Sequence, residues 1–353
     1  MTDTRLRTAL WHQWLGIGDL VWHLPYIRAL AAQSQGGQVV VIARPSTRAA
    51  ELLSIEPCVS EVLIYDNNPR RNEHRRGQHD GYTGMRRFIA ELKSLQLERI
   101  LIFSNNVRYA YMSQQAGIPV RAGYGTKALQ RLWLNQPPYI QPYTGPSSPV
   151  YWDASAFAQA QGLVGGPVVP RIQLPSEWQQ RHAEDLAPLR QPRLALSLGA
   201  SDSRKDWGTT HFVELARRWI DAGGSVVAPG GGLETARLQV LQQVLGKTGQ
   251  LLALQPPSIL DTLSLLAGCQ WCVGNDTGVL NLAAALQVPC LGLFGHTPPL
   301  RHDPLIAAVT APGMAHISVD AVWAQARDFL QALVSVASTR LSSAAAGSGS
   351  AAG

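Results

Sequence analysis

Gly274-Asn275-Asp276-Thr277-Gly278, running into Val279-Leu280-Asn281-Leu282-Ala283-Ala284-Ala285-Leu286, is the stretch whose reading decides this chain. An apolar run, Leu263 to Val273, leads into it, and a segment rich in Ala and Leu leaves it. A turn that opens a helix leaves the first backbone N–H groups without intrahelical partners. Those donors and the positive end of the helix dipole suit an anion such as a diphosphate. Asp276 or Thr277 as a plain N-cap would use the same turn without any ligand.

The strand-turn-helix rhythm extends outward from that turn. Upstream, Glu177 to Leu186 reads as helix and Leu194 to Leu198 as a strand, followed by the polar loop from Gly199 to Trp207. Thr210 is expected to cap a helix through Ala222, which Gly223-Gly224 ends. Ser225 to Ala228 is a strand that opens into Pro229-Gly230-Gly231-Gly232-Leu233-Glu234, and a helix follows from Thr235 to Leu245. Leu251 to Leu254, Trp271 to Val273 and Cys290 to Phe294 read as further strands.

The front half repeats the pattern. Thr8 to Leu15 reads as a strand and Gly16-Ile17-Gly18-Asp19 as a tight turn. From Leu20 a helix is expected, with Leu20, Leu24, Ile27, Leu30 and Ala31 on one face and Pro25 tolerated only near its start. Val39 to Ala43, Val59 to Tyr65 and Arg99 to Phe103 are strands, Tyr109 to Ala116 a helix, and Val120 to Tyr124 a short strand and turn. Five prolines between 136 and 149 mark an irregular connection before a helix from Tyr151 to Gly162. A dinucleotide loop would need a third glycine where Val21 stands, which argues against nicotinamide or flavin.

A chain of 353 residues exceeds what one core usually serves, so two domains are expected. The boundary falls near Gly165-Gly166-Pro167: residues 1–168, then 169–338, with 339–353 a disordered Ala/Ser/Gly tail. The last helix, 321–337, is expected either to stay with the second domain or to pack back on the first. A net charge of +6 favours acidic partners. Cys58, Cys269, Cys272 and Cys290 are too few for a disulfide scaffold, and no second CxxC completes a zinc site, so a reduced, cytoplasmic protein without a bound metal is expected. No apolar run reaches membrane-spanning length and no signal peptide is apparent, which leaves peripheral contact with a membrane.

Three loops of the second half carry complementary chemistry. Lys205 brings a cation for phosphate, Glu234 a carboxylate for ribose hydroxyls, and Thr277 and Gly278 backbone amides for phosphate oxygens. Asp19 brings an acid from the first half, and it would also serve as an N-cap. The stretch from Asp66 to Arg87 holds Arg70, Arg71, Arg75, Arg76, Arg86 and Arg87, and reads either as a solvated loop or as a lid that grips phosphates. His12, His23, His211, His296 and His302 show no ligand spacing; His23 is expected on a helix beside the cleft, the others in loops or at the surface. Trp207 is expected beside a nucleotide.

Gly16-Ile17-Gly18-Asp19-Leu20-Val21-Trp22-His23-Leu24-Pro25 resembles the N-terminal signature of the family 9 glycosyltransferases, the heptosyltransferases of lipopolysaccharide core assembly, in which Gly-Asp is followed by His and Leu-Pro. Lys205-Asp206-Trp207 resembles their K-x-W element, and Gly274 to Gly278 with Ala283 to Leu286 and Phe294-Gly295-His296-Thr297 resembles their NDTG block. Arg121-Ala122-Gly123-Tyr124 is a weaker match. The resemblance implies a GT-B fold, two Rossmann-like parallel-sheet domains facing a cleft. It implies metal-independent, inverting transfer from a nucleotide sugar, typically ADP-heptose, with no cofactor besides that substrate. Asp19 matches the general base, and Ser201, Lys205, Glu234, Asp276, Thr277, Gly278 and Asn281 fall on the donor side. Gly18, His23, Arg70, Arg71, Arg75 and Arg76 are assigned to a phosphorylated, lipid-linked glycan acceptor at the inner membrane's cytoplasmic face. Asn281 stands where the family usually has His, and Ala200-Ser201 lacks one hydroxyl of the close relatives.

Two rivals stand beside this reading. A sugar-nucleotide epimerase would use a similar two-domain scaffold. A non-catalytic sugar-nucleotide or anionic-surface binder would need neither Asp19 nor Lys205. Nucleic acid is disfavoured because the arginines lack interleaved aromatics for base stacking.

Overall fold

The computed structural model describes residues 3–69, 74–200 and 202–329. Its first unit contains β1 (Thr8–His12), α1 (Ile17–Ala32), β2 (Val39–Ala43), α2 (Ala49–Leu52), β3 (Val59–Ile64), α3 (Gly81–Ser94), β4 (Arg99–Phe103), α4 (Val107–Gln115), β5 (Val120–Gly123), α5 (Ala128–Arg131) and α6 (Pro149–Ala160). The second contains α7 (Ser176–Gln180), α8 (Ala183–Leu186), β6 (Arg193–Ser197), α9 (Thr209–Asp221), β7 (Ser225–Pro229), α10 (Thr235–Leu245), β8 (Leu251–Leu254), α11 (Ile259–Ala267), β9 (Trp271–Asn275), α12 (Gly278–Ala285), β10 (Cys290–Phe294) and β11 (Ile306–Thr310). A last helix, α13, covers 319–329.

The strands form two sheets, ordered β3-β2-β1-β4-β5 and β11-β10-β9-β6-β7-β8. Every pairing is parallel. Strands such as Val39–Ala43 and Cys290–Phe294 are apolar throughout because helices cover both faces of each sheet. In both sheets the loops that carry chemistry leave from the carboxyl ends of the central strands.

α1 joins the units. It is buried on nearly all sides, from Leu20 through Ala31, because α6 flanks it within its own unit and α12 of the second unit lies against it. Leu20, Leu24 and Ile27 share one continuous buried cluster with Leu280, Ala283 and Ala284. The helices approach closely where glycines allow it: a Cβ on Gly18 would sit 3.0 Å from Asn281 Nδ2, and one on Gly278 would sit 3.4 Å from Ile17 Cβ. Two further links cross between the units, Ile259 N–H to Glu51 Oε2 (3.0 Å) and Arg48 Nη2 to the Pro257 carbonyl (3.3 Å).

Several expectations are corrected. The first helix begins at Ile17, ahead of Leu20, so Pro25 lies inside it rather than near its start. Burial of the whole helix between two units offsets what a missing N–H costs. The segment from Glu177 to Leu186 breaks into α7 and α8. α9 is capped by Gly208, at φ 96°, and not by Thr210. α11 and β11 were not foreseen, and the apolar run from Leu263 divides between α11 and β9. Arg86 and Arg87 lie on α3 rather than in a loop. In α13, Val322 and Ala326 are buried with the second sheet's core and Phe329 stacks on Trp271 at 4.9 Å. Residues 330–338 and the expected tail 339–353 lie outside the described residues.

His12 and His302 are buried rather than superficial, and His23 is fully buried. Burial pushes the His23 and His302 imidazoles down to about 4 and also lowers His12, which lies edge-on to His23 at 4.6 Å. In the unfolded chain these groups take up protons near 6.5. Their contribution to stability is therefore complete above 6.5 and is lost as the pH falls from 6.5 to about 4, roughly 3 kcal/mol for each of His23 and His302. Thermal unfolding across that window should show the loss. His302→Phe, which keeps an aromatic ring against Trp22 and Tyr151, should reduce it by the His302 share while the His23 share remains. An unchanged pH dependence in that variant would remove His302 from the account.

Candidate active site

A cleft of about 1140 Å³ opens between the two sheets, large enough for a nucleoside diphosphate sugar. The first unit lines it with Trp14, Gly18, Asp19, Ser46 and Arg48. The second contributes Lys205, Glu234, Asp276, Thr277, Asn281 and Thr297.

Asp19 occupies the third position of α1. Its Oδ2 accepts the Gly16 N–H at 3.1 Å, so the carboxylate closes the first turn from inside the helix while lining the cleft. His23, one turn on, places Nδ1 2.6 Å from the Asp19 carbonyl. A carbonyl only accepts, so the neutral ring carries its proton on Nδ1 and pins the backbone of Asp19. His23 is thus a core residue beneath the site, edge-on to Phe103 at 5.1 Å. It does not line the cleft, which overturns its assignment to the acceptor.

The opposing turn is held without a side-chain cap. Thr277 occupies the N-cap position of α12, but its hydroxyl pairs with Ser197 Oγ at 2.7 Å and makes no capping bond. The Asp276 carboxylate does not cap either: Oδ2 accepts from Lys205 Nζ at 2.8 Å and from Thr297 Oγ1 at 3.0 Å. Both members of the ion pair are largely shielded, at 22% and 13% exposure, so solvent screens their attraction less than at the surface. The plain N-cap reading of this turn therefore fails for both side chains.

Asn281 acts between the units. Its Oδ1 accepts the Trp22 indole N–H at 2.8 Å and its Nδ2 donates to the Thr277 carbonyl at 3.0 Å. One amide therefore couples the helix that carries Asp19 to the turn that opens α12. The residue lines the cleft, yet both ends of its amide are engaged by protein. Gly18, assigned to the acceptor from the sequence, lines the cleft at this seam.

Glu234 lines the cleft with one oxygen, Oε2, accepting the Gly231 N–H at 2.7 Å. Trp207 is buried and donates its indole N–H to the Ile317 carbonyl at 2.8 Å, so it braces the loop from beneath and does not stack in the cleft. Arg75 is ion-paired to Asp66 at 2.7 Å, Arg76 is exposed, and neither lines the cleft. Arg70, Arg71 and Ser201 lie outside the described residues. Among the described residues no three His, Cys, Asp or Glu side chains converge as a metal site would require.

Sequence reasoning missed the residues that hold these loops in place. Buried Asn275 accepts the Trp207 N–H at 3.1 Å and donates to the Leu198 and Gly199 carbonyls at 3.1 and 3.0 Å. Arg237 grips Asp206 at 2.6 Å and the Leu198 carbonyl at 2.5 Å. An Asn at the last position of a buried strand was the available signal, since a polar side chain there needs partners. Arg237 carried none.

A family model described as glycosyltransferase family 9 (heptosyltransferase) matches residues 85–321. The chain is 26% identical over 294 residues to lipopolysaccharide heptosyltransferase 1 of Pseudomonas aeruginosa, spanning 80% of this chain and 77% of that protein. It is 27% identical over 312 residues to lipopolysaccharide heptosyltransferase 2 of Escherichia coli, spanning 81% and 83%. The solved structure of E. coli ADP-heptose lps heptosyltransferase II superposes with a TM-score of 0.71 at 19% identity, over 92% of this chain and 99% of that one. The paired parallel sheets about a cleft are thus the GT-B architecture, and the chain is a glycosyltransferase that belongs to family 9, the heptosyltransferases.

Proposed function

We propose that this chain transfers heptose from ADP-heptose to a lipopolysaccharide-core or similar glycan acceptor, with inversion at the anomeric carbon. The observation that carries the reading is the facing of Asp19 and the Lys205–Asp276–Thr277 turn across one cleft. Relatives at about a quarter identity are heptosyltransferases, and a neighbouring solved structure contains an ADP-heptose analogue.

In the proposed step an acceptor hydroxyl attacks the anomeric carbon while Asp19 takes its proton. The C–O bond to the diphosphate breaks and its electron pair leaves with ADP. Charge grows on the departing phosphate, where the Lys205 ammonium and the start of α12 stabilise it. No metal is invoked: fixed donors in a shielded site supply the positive charge. Glu234, half-shielded at the mouth of the Gly230–Leu233 loop, is assigned to the ribose hydroxyls. Asn281 is assigned to positioning, because its bonds to Trp22 and Thr277 set base and donor turn in register.

The test is product analysis with ADP-heptose, with and without a core acceptor. Release of ADP coupled to a glycan larger by one heptose is expected, with the anomeric configuration inverted by NMR. Rearranged nucleotide sugar without any acceptor would replace this reading with the epimerase.

A further inference from the structure

We infer that the carboxyl edge of the first sheet, around α5 and the start of α3, is a docking surface for an anionic lipid bilayer. Four large apolar or aromatic groups sit near that edge, and three of them face solvent. Leu129 is 58% exposed, Leu132 71% and Tyr82 70%, whereas Trp133 is half-buried against Tyr111. Leu129 and Leu132 lie three residues apart on or just after α5 and therefore share a face. No helix among the described residues is long and apolar enough to cross a membrane, so their side chains could enter only the interfacial layer.

The three segments are one surface because they hold each other. Arg108 Nη2, at the start of α4, reaches the Gly81 carbonyl that opens α3, at 3.4 Å. Gln130 of α5 donates to the Ser104 and Asn106 carbonyls just before α4, at 2.8 and 3.4 Å. The exposed groups therefore flank the same end of the sheet from which the cleft loops leave.

The charge on this edge is net positive. From Arg99 to Trp152 the chain contains no Asp or Glu, while Arg108, Lys127 and Arg131 fall at the edge itself. Residues 74–87 add Arg76 and Arg86, while Arg75 and Arg87 are paired with Asp66 and Glu91, and the oxygens of Asp80 are bound to Asn67, Asn68 and Gly77. The Arg131 guanidinium lies 5.1 Å from the Tyr139 ring centroid and Arg86 lies 6.0 Å from that of Tyr82, so aliphatic stems and rings offer an apolar underside with charged tips. Basic residues beside short apolar anchors are what an anionic surface selects. For the proposed reaction, such docking would hold the cleft mouth near a lipid-linked acceptor; the inference takes that purpose from the proposed function, but its test needs neither donor nor acceptor.

The experiment is flotation of the full chain with vesicles of phosphatidylcholine, with and without phosphatidylglycerol, at low and high salt. Binding is expected only with phosphatidylglycerol and should weaken as salt screens the charges. Lys127→Glu/Arg131→Glu should lower the partition by more than tenfold, since each basic residue contributes roughly fivefold. Leu129→Ser/Leu132→Ser should lower it at least tenfold while the melting temperature holds, because both side chains already face water. ADP-sugar binding should be unchanged in both variants. Absence of vesicle binding by the parent chain, or variants that bind as the parent does, would overturn the inference. So would sedimentation showing that the parent is a dimer which Leu129→Ser/Leu132→Ser dissociates, since that outcome assigns the face to a second copy of the chain.

Discussion

Asp19→Asn should lower sugar transfer by about 10²–10⁴-fold while leaving the fold and donor binding intact. Asparagine is the informative replacement because Asp19 has two jobs. Its Oδ2 accepts the Gly16 N–H, and an amide oxygen can still do that. What asparagine cannot do is take a proton from an attacking hydroxyl. Asp19→Ala removes both roles and should add a loss of about 1 kcal/mol in stability, the usual cost of a missing helix-start acceptor. Comparing the two variants therefore separates the base from the cap. Steady-state kinetics, with thermal shift by ADP as the control for donor binding, gives the comparison. Turnover near that of the parent in Asp19→Asn would leave Asp19 as a helix residue and end the base assignment.

The second large effect is expected from Lys205→Ala. Loss of a fixed donor to the developing charge typically costs 10²–10³ in kcat, and the donor KM should rise as well. The ion pair complicates a simple reading. Removing Lys205 leaves the largely buried Asp276 carboxylate with Thr297 as its remaining side-chain donor, so part of any loss would come from repulsion between that carboxylate and the diphosphate. Lys205→Ala/Asp276→Asn resolves this. If Lys205 acts on the donor, the double variant regains melting temperature but not kcat. If Lys205 only neutralises Asp276, the double variant regains both, and its proposed role in the reaction is withdrawn.

Both predictions concern residues that the sequence already marked, and the reason is local. A glycine-bearing turn between an apolar run and a helix-forming run is written in neighbouring residues, so Gly16–Asp19 and Gly274–Gly278 are legible without any tertiary information. Lys205 was legible through the polar loop that follows a strand and through the family likeness of Lys205-Asp206-Trp207. The errors fall where orientation matters. His23 and Trp207 were expected near the cleft, and each instead turns inward to a backbone carbonyl, Asp19 and Ile317 respectively. A ring with one polar edge serves equally well as a ligand contact or as a brace beneath a loop, and neighbouring residues do not distinguish the two. Thr277 follows the same logic: its place at a helix start was readable, but its hydroxyl is claimed by Ser197 from another strand.

The sequence by itself determined the alternation of strands and helices, the two parallel sheets and the turns where they present backbone donors, because periodicity and turn chemistry act over a few residues. The tertiary structure alone decided which groups meet. Asp19's helix is apolar on nearly every side, so its pattern could not say which face receives the second unit. Asn281 shows the consequence: 259 positions from Trp22 in the chain, it joins the two units through a single amide. Such pairings depend on how two separately wound sheets are brought together, and that is set by the complementarity of whole surfaces rather than by any local run of residues.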